Sequence, residues 1–127
     1  MIRNFEELES WKSARLLVQE IYSLSNAGNF KRDYPLRDQI RAAAISVMAN
    51  IAEGFERNNR REFIYFLGIS KGSCGEVRSL LYVALDQNYI IQDQFEKIKE
   101  LTIKILSLIA GMINYLKKTE IPGLRFK

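Results

Sequence analysis

Apolar residues recur every three or four positions over most of the chain, which is the spacing that one face of an α-helix presents. The inner face of the first predicted helix consists of Leu8, Trp11, Ala14, Val18, Ile21 and Ser25. Asn4 and Glu7 have the spacing of a capping box, and Gly28 suits the left-handed residue that follows a helix. The pattern therefore predicts a first helix over residues 5–27.

Pro35 has the fixed φ that suits a first helical turn, and it opens the second predicted helix, which should end near positions 57–58. Its inner face repeats through Leu36, Ile40, Ala44, Val47, Ile51 and Phe55. Asn59 and Glu62 form a second predicted capping box, which starts the third helix. That helix extends to about Gln87, and Asn88 supplies a left-handed stop.

The fourth predicted helix starts at Asp93 with Glu96 and precedes a tail marked by Pro122 and Gly123. Its predicted a/d seam is Ile98, Leu101, Ile105, Leu108, Met112 and Tyr115. Short connections force consecutive helices to be antiparallel. The sequence thus predicts an all-α fold, an antiparallel up-down four-helix bundle over residues 1–118, with a tail over 119–127.

The overall composition fits one soluble domain. With 127 residues, 47% of them hydrophobic and 27% charged, the chain can bury a core and is not expected to be disordered. The N-terminus lacks the features of a secretory signal, and the most apolar run, over 105–113, has about half the length that a membrane span requires. A single cysteine cannot form an internal disulfide. We therefore expect a cytoplasmic protein without a membrane partner.

The composition offers little support for catalysis. The chain has no histidine, so the commonest general base and zinc ligand is absent. Cys74 falls in an apolar helical stretch with no base available and is predicted to be structural. A faint likeness to a phosphate loop over 68–73 lacks the Walker spacing and a preceding strand. We expect a protein that is not an enzyme and has no metal or cofactor.

Glu53 and Glu76 fall on neighbouring predicted helices and are the candidates for a paired-carboxylate site. Di-metal bundles also need two Glu-x-x-His motifs, which this chain cannot supply. We expect structural roles instead, with Glu53 and Asn50 bonding to Arg41 or Arg78 or capping buried backbone, because buried polar groups need partners.

The third predicted helix has a stripe of small residues between two tyrosines, namely Tyr65, Gly68, Gly72, Gly75, Ser79 and Tyr82. Each interior glycine costs about 1 kcal/mol relative to alanine, and close approach of another helix can offset that cost. In one interpretation the stripe packs on Ala42, Ala43, Ser46, Ala49 and Ala52 of the second helix. In the other it faces outward and receives a neighbouring subunit. The opposite side of this helix is also apolar, so we predict a homo-oligomer.

The formal net charge is +4 and the pI is near 9.3, which permits nucleic-acid binding. The antiparallel order places the densest basic cluster and the end of the fourth helix at the same end of the bundle. The candidate nucleic-acid-binding residues there are Arg57, Asn58, Arg60, Arg61, Lys117 and Lys118. Phe63 and Tyr65 lie close in sequence and are candidates for stacking on bases. The alternative is an ordinary solvated charged surface.

Two motifs resemble those of a known bacterial family. The first motif consists of Leu36-x-x-Gln39-Ile40-Arg41-x-Ala43, then Ser46 and Ala49-Asn50-Ile51-Ala52-Glu53-Gly54. The second motif consists of Glu62-Phe63-x-x-Phe66-Leu67 and Gly72-Ser73-x-x-Glu76. With Trp11 in the first helix, the chain resembles, over nearly its whole length, the four-helix bundle family encoded in intervening sequences of 23S rRNA genes. Met48 stands where that family often has proline.

The resemblance implies a ring of subunits, typically a pentamer, and a likeness to the basic accessory barrels that work beside the reverse transcriptase of diversity-generating retroelements. The leading hypothesis is therefore a non-enzymatic, ring-forming accessory protein that binds RNA or DNA through phosphates at its arginine-rich end. The alternative is a protein-interaction scaffold with no nucleic-acid role, whose partner is a protein such as a reverse transcriptase.

Overall fold

The computed structural model describes residues 2–118. Four α-helices make up the fold: α1 (Glu9–Ser25), α2 (Tyr34–Glu56), α3 (Arg60–Asp86) and α4 (Gln92–Lys118). Two single-turn 3₁₀ helices, Phe5–Glu7 and Phe30–Arg32, precede α1 and α2. The all-α prediction is confirmed, whereas the predicted tail over 119–127, with Pro122 and Gly123, lies outside the described residues.

Contacts between the helices show that neighbours are antiparallel. Positions rise along α2 as their partners fall along α3, in the pairs Gln39–Glu76, Val47–Ser70 and Phe55–Phe63. The same order relates α3 to α4, in the pairs Cys74–Thr102 and Tyr82–Phe95. The fourth helix returns to α1, where Lys97 Nζ lies 3.1 Å from the Glu20 carboxylate. The predicted up-down bundle is confirmed.

The inner faces of α1 and α2 follow the predicted pattern closely. All six predicted core residues of α2 are buried. In α1, Trp11 and Val18 are half-buried at the edge of the core, while Leu17, which the prediction omitted, is fully buried. A wide apolar stripe, rather than a narrow seam, is what a helix in a globular bundle buries.

The predicted seam of α4 is partly wrong. Tyr115 is 51% exposed, and Leu108 and Met112 are only half-buried. The buried residues of this helix are Phe95, Ile98, Thr102, Ile105, Ile109 and Leu116. A straight helix has 3.6 residues per turn, so a strict heptad seam rotates away from the core over a helix of this length. Thr102 tolerates burial because its hydroxyl donates to the Lys99 carbonyl at 2.6 Å.

The first predicted helix is interrupted at Leu8, which has the extended angles φ −74° and ψ 127°. The interruption directs Leu8 into the core, where it is 3% exposed. Glu7 Oε2 accepts from the Asn4 N–H at 2.9 Å, so the predicted capping box closes the 3₁₀ turn rather than the long helix. The α-helix then begins at Glu9.

Most of the other predicted helix ends are confirmed. Asn59 Oδ1 accepts from the Glu62 N–H at 3.0 Å and caps α3, and Asn88 has the left-handed φ of 60° after it. Gly28 also has a left-handed φ, of 55°, but α1 ends at Ser25, two residues before the predicted end. Two starts differ by one residue from the prediction. Tyr34 precedes Pro35 in α2, and α4 begins at Gln92 rather than at Asp93.

Candidate nucleic-acid interface

A three-residue turn joins α2 to α3 at the basic end of the bundle. Asn58 has φ 54°, and Asn59 is extended with φ −145° and caps α3. Asparagine adopts left-handed angles more readily than most residues. The role that the structure gives Asn58 is therefore to reverse the chain, which brings the arginines on both sides of it to one surface.

Arg57 is engaged within the protein. Its Nε lies 3.2 Å from Glu53 Oε2, and its Nη1 lies 3.4 Å from Glu62 Oε1. Its guanidinium carbon also lies 5.0 Å from the centre of the Phe66 ring. Two carboxylates and one ring face thus hold Arg57 across the end of α2 and the start of α3, which leaves less of its charge for a phosphate.

Arg61 and Tyr65 lie one turn apart on α3 and border a cleft. The cleft has a volume of about 530 Å³ and is lined by Arg57, Asn59, Arg61, Glu62, Tyr65 and Phe66. Arg61 is exposed and forms no ion pair with any carboxylate in residues 2–118. Tyr65 is 65% exposed, and its ring meets Phe66 edge-to-face at 5.3 Å. Arg60, by contrast, is half-buried and makes contacts within the protein.

The register of α3 against α4 brings Lys117 to the same level as Arg61. Extended from the Cys74–Thr102 contact, this register aligns the first turn of α3 with the last turn of α4. Lys117 and Lys118 are exposed, and neither is paired with a carboxylate among residues 2–118. In part these lysines complement the negative end of the α4 dipole. Their exposure still leaves two cations at the same end of the bundle as Arg61.

Only one of the two aromatic residues expected to stack on bases is accessible. Phe63 is 0% exposed and packs edge-to-face against Phe55 at 6.0 Å, within the core. A stacking role for Phe63 is therefore wrong. Tyr65, two positions later, points away from the core because two residues correspond to about 200° around a helix.

The glycine stripe of α3 faces away from its own bundle. A Cβ added at Gly68, Gly72 or Gly75 would meet no atom within 4 Å beyond its own helix. The interpretation that these glycines let α3 pack closely on α2 is therefore wrong. The outward orientation agrees with the second interpretation, in which Tyr65, Gly68, Gly72, Gly75 and Tyr82 are available to another chain.

The close approach of α2 and α3 occurs at Gly54, which the sequence analysis did not identify. A Cβ there would lie 2.8 Å from Phe66 Cβ and 2.9 Å from Phe63 Cδ1. The available signal was the position of this glycine inside a predicted helix, at the end of the Ala-Asn-Ile-Ala-Glu-Gly block. A glycine retained in a helix interior usually has a packing reason.

Polar residues of the two motifs hold helices together rather than forming a reactive cluster. Ser46 Oγ and Ser73 Oγ lie 2.8 Å apart, and Asn50 Nδ2 donates to Ser46 Oγ at 2.9 Å. The expected bonds of Glu53 and Asn50 to Arg41 or Arg78 are wrong, whereas the alternative of backbone capping is confirmed for Asn50, whose Nδ2 donates to the Ser46 carbonyl at 2.9 Å. The Arg41 Nε donates instead to Ser25 Oγ at 2.7 Å, and Glu53 pairs within its own end of the bundle.

Cys74 is buried, and its Sγ donates to the Thr102 carbonyl at 3.4 Å. Burial raises the pKa of its thiol to about 12, so the reactive thiolate is not formed near neutral pH.

Glu53 and Glu76 lie at different levels of the bundle and have separate partners. Within residues 2–118, no group of three or more acidic or cysteine side chains is placed to hold a metal ion. No described helix has the length and apolarity needed to cross a membrane.

These features define a class: an antiparallel four-helix bundle with exposed cations and the exposed Tyr65 at the same end. Residues 6–111 match the model of the 23S rRNA-intervening sequence protein family. The chain belongs to that family, which confirms the resemblance of its two motifs.

The fold is similar to that of a solved structure. It is a protein of unknown function from the S23 ribosomal protein family of Bacteroides thetaiotaomicron, with a TM-score of 0.77 and 23% sequence identity. The match covers 83% of this chain and 95% of that one. No curated protein matches the chain.

Proposed function

We propose that this protein is a non-enzymatic accessory protein that binds RNA through phosphates at the basic end of its bundle. The observation that supports this most is that Arg61, Lys117 and Lys118, exposed and unpaired with carboxylates among residues 2–118, lie at the same end of the bundle as the exposed ring of Tyr65. Guanidinium and ammonium groups are the usual phosphate ligands of nucleic-acid-binding proteins. The family description, which refers to 23S rRNA, agrees with an RNA partner.

We further propose that the protein acts as a ring of identical subunits, five in the resemblance described above. Three cations on one subunit supply only modest affinity, whereas copies in a ring present several such groups to one RNA. The glycine segment of the outward stripe of α3 supports an assembly, because Gly68 and Gly72 leave room for a neighbouring helix to come close, and Tyr65 at the end of the stripe stays outside this contact. Close packing at small residues would offset the cost of those glycines in the helix.

The test is RNA binding by a charge-reversal variant. In the variant Arg61→Glu, Lys117→Glu and Lys118→Glu, each exposed cation becomes an anion at the proposed surface. The affinity for a structured RNA at low salt should fall at least 100-fold, because three phosphate contacts are replaced by three repulsions. Arg57 is left intact because its ion pairs hold the α2–α3 turn together.

The matched control reverses three exposed cations elsewhere, as Lys31→Glu, Arg32→Glu and Lys104→Glu, and changes the net charge by the same amount. This control should keep most of the affinity, and both variants should retain the helical circular dichroism of the wild type. Equal losses in the two variants would show that net charge alone is responsible. A wild type that does not bind RNA even at low salt would contradict the proposal.

A protein-interaction scaffold is a second candidate function. It is favoured by an apolar groove of about 490 Å³ between α1 and α4, whose lining includes Leu16, Ile98 and Leu101. In that case a protein such as a reverse transcriptase, rather than RNA, is the partner. Binding of such a protein that survives ribonuclease treatment and the basic-end charge reversal would favour the scaffold.

A further inference from the structure

We infer that Tyr65 and Arg61 together form a site for an unpaired nucleotide, in which the Tyr65 ring stacks on the base and the Arg61 guanidinium binds its phosphate. This inference rests on the proposed function and deepens it, because it names the nucleic-acid form that the basic end prefers. The preferred ligand is a single strand or a loop, rather than a regular duplex.

Tyr65 is supported by one neighbouring ring and is otherwise largely exposed. Its ring meets Phe66 at 5.3 Å with an interplanar angle of 81°. Phe66 is itself half-buried, and the Arg57 guanidinium lies over its ring, 5.0 Å from the ring centre. The remaining surface of Tyr65 is open, since the side chain is 65% exposed. A ring that a neighbour supports and that is still largely exposed loses little freedom when a base stacks on it.

Arg61 lies four residues before Tyr65 on the same helix, which separates the two by about 6 Å along the helix axis. Residues with this spacing lie on the same helix face, so one nucleotide can reach both. Glu62 is the acidic residue in the cleft, and its carboxylate is directed to the Arg57 guanidinium at 3.4 Å. That pairing reduces its repulsion of a phosphate, and the N-terminal end of α3 adds a favourable partial charge.

The stacking requirement selects against duplexes. In a double helix both faces of an internal base are covered by neighbouring bases, so a protruding tyrosine has no base face to contact. Unpaired bases expose their faces, and aromatic side chains are the common platform for them in proteins that bind single strands. Lys117 and Lys118 contact phosphates, which single strands and duplexes both expose, so the two lysines bind both forms alike.

The test compares a short single-stranded oligonucleotide with the same strand annealed to its complement, as RNA and as DNA, by fluorescence anisotropy. The variants are Tyr65→Ala and Tyr65→Trp. The matched control is Tyr34→Ala at the opposite end of the bundle. Tyr34 is 61% exposed and has the Arg37 guanidinium 4.8 Å from its ring centre, so it resembles Tyr65 in exposure and in having an arginine close by.

Tyr65→Ala should weaken single-strand binding about 10-fold and leave duplex binding unchanged, whereas Tyr65→Trp and Tyr34→Ala should bind single strands like the wild type. Equal affinity of Tyr65→Ala and wild type for single strands would overturn the inference, as would equal losses for single strand and duplex. If Arg61→Gln weakens both forms while Tyr65→Ala changes neither, the stacking site fails and the proposed function stands. A wild type that binds neither form overturns both.

Discussion

At the scale of single residues, Gly54 determines how closely α2 and α3 approach beside the candidate interface. The space that a side chain would need there is filled by the β-carbon of Phe66 and by the Phe63 ring. Phe66 also supports Tyr65 and faces Arg57, so the packing at Gly54 fixes the back wall of the cleft. Gly54, which lies in the core, thereby helps to position Tyr65 and Arg57 at the surface.

We predict that Gly54→Ala destabilises the protein by about 1–3 kcal/mol, because the added methyl group forces Phe66 or Phe63 to move. The gain in helix propensity, about 1 kcal/mol, offsets only part of this cost. Urea unfolding followed by circular dichroism measures the change. Gly111→Ala is the control, because a Cβ at Gly111 meets nothing within 4 Å. A Gly54→Ala variant as stable as Gly111→Ala would contradict the packing argument.

The limits of sequence reasoning also show at this scale. Arg57 was predicted to bind phosphate with the other basic residues, but its pairing with Glu53 and Glu62 depends on the geometry of the turn. Phe63 and Tyr65 were both predicted to be accessible. The orientation of α3 about its own axis buries the Phe63 ring and exposes the Tyr65 ring. Local charge and residue type indicated the region, whereas the roles within it depend on tertiary packing.

At the scale of elements, the helix ends were predictable and the buried faces less so. Asn59 caps α3 and Asn88 turns the chain after it, because these signals act through the local backbone. The break at Leu8 was not predictable from periodicity, since Leu8 fits the apolar spacing and leaves the helix to reach the core. The α4 seam was misplaced because a heptad pattern and a straight helix differ in period.

The glycines of α3 give a prediction that separates assembly from folding. We predict that the double variant Gly68→Ala and Gly72→Ala folds with slightly higher stability, by roughly 0.5–1 kcal/mol per site, because alanine favours the helix and nothing lies within 4 Å of either Cβ. The same methyl groups should weaken a subunit contact that uses the stripe. Light scattering across micromolar concentrations should therefore show a lower average mass than the wild type.

Gly111→Ala again serves as the control, because Gly111 is an exposed helical glycine on α4 rather than α3. This variant should keep the mass of the wild type. Unchanged mass in the double α3 variant would remove the stripe from the subunit contact, and a monomeric wild type at these concentrations would contradict the homo-oligomer.

At the scale of the whole molecule, the up-down order of the helices creates the basic end. Arg61 and Lys117 are far apart in sequence, and they come to one level because α3 and α4 are antiparallel in a fixed register. Alternation of helix direction was predictable from short connections, so the grouping of these cations was predictable too. The number of basic ends that contact one RNA depends on how the subunits assemble, and the sequence of a single chain does not determine it.

The most direct measurement of the central claim is the salt dependence of the affinity for single-stranded RNA. Each phosphate contact contributes about −0.7 to the slope of log K against log salt concentration, so the three cations of one subunit give a slope of about −2. We predict a slope of about −2 for contact with one subunit and a steeper one for a ring, flattened in both cases by the Arg61, Lys117 and Lys118 reversal. A slope near zero would contradict phosphate binding at this end of the bundle.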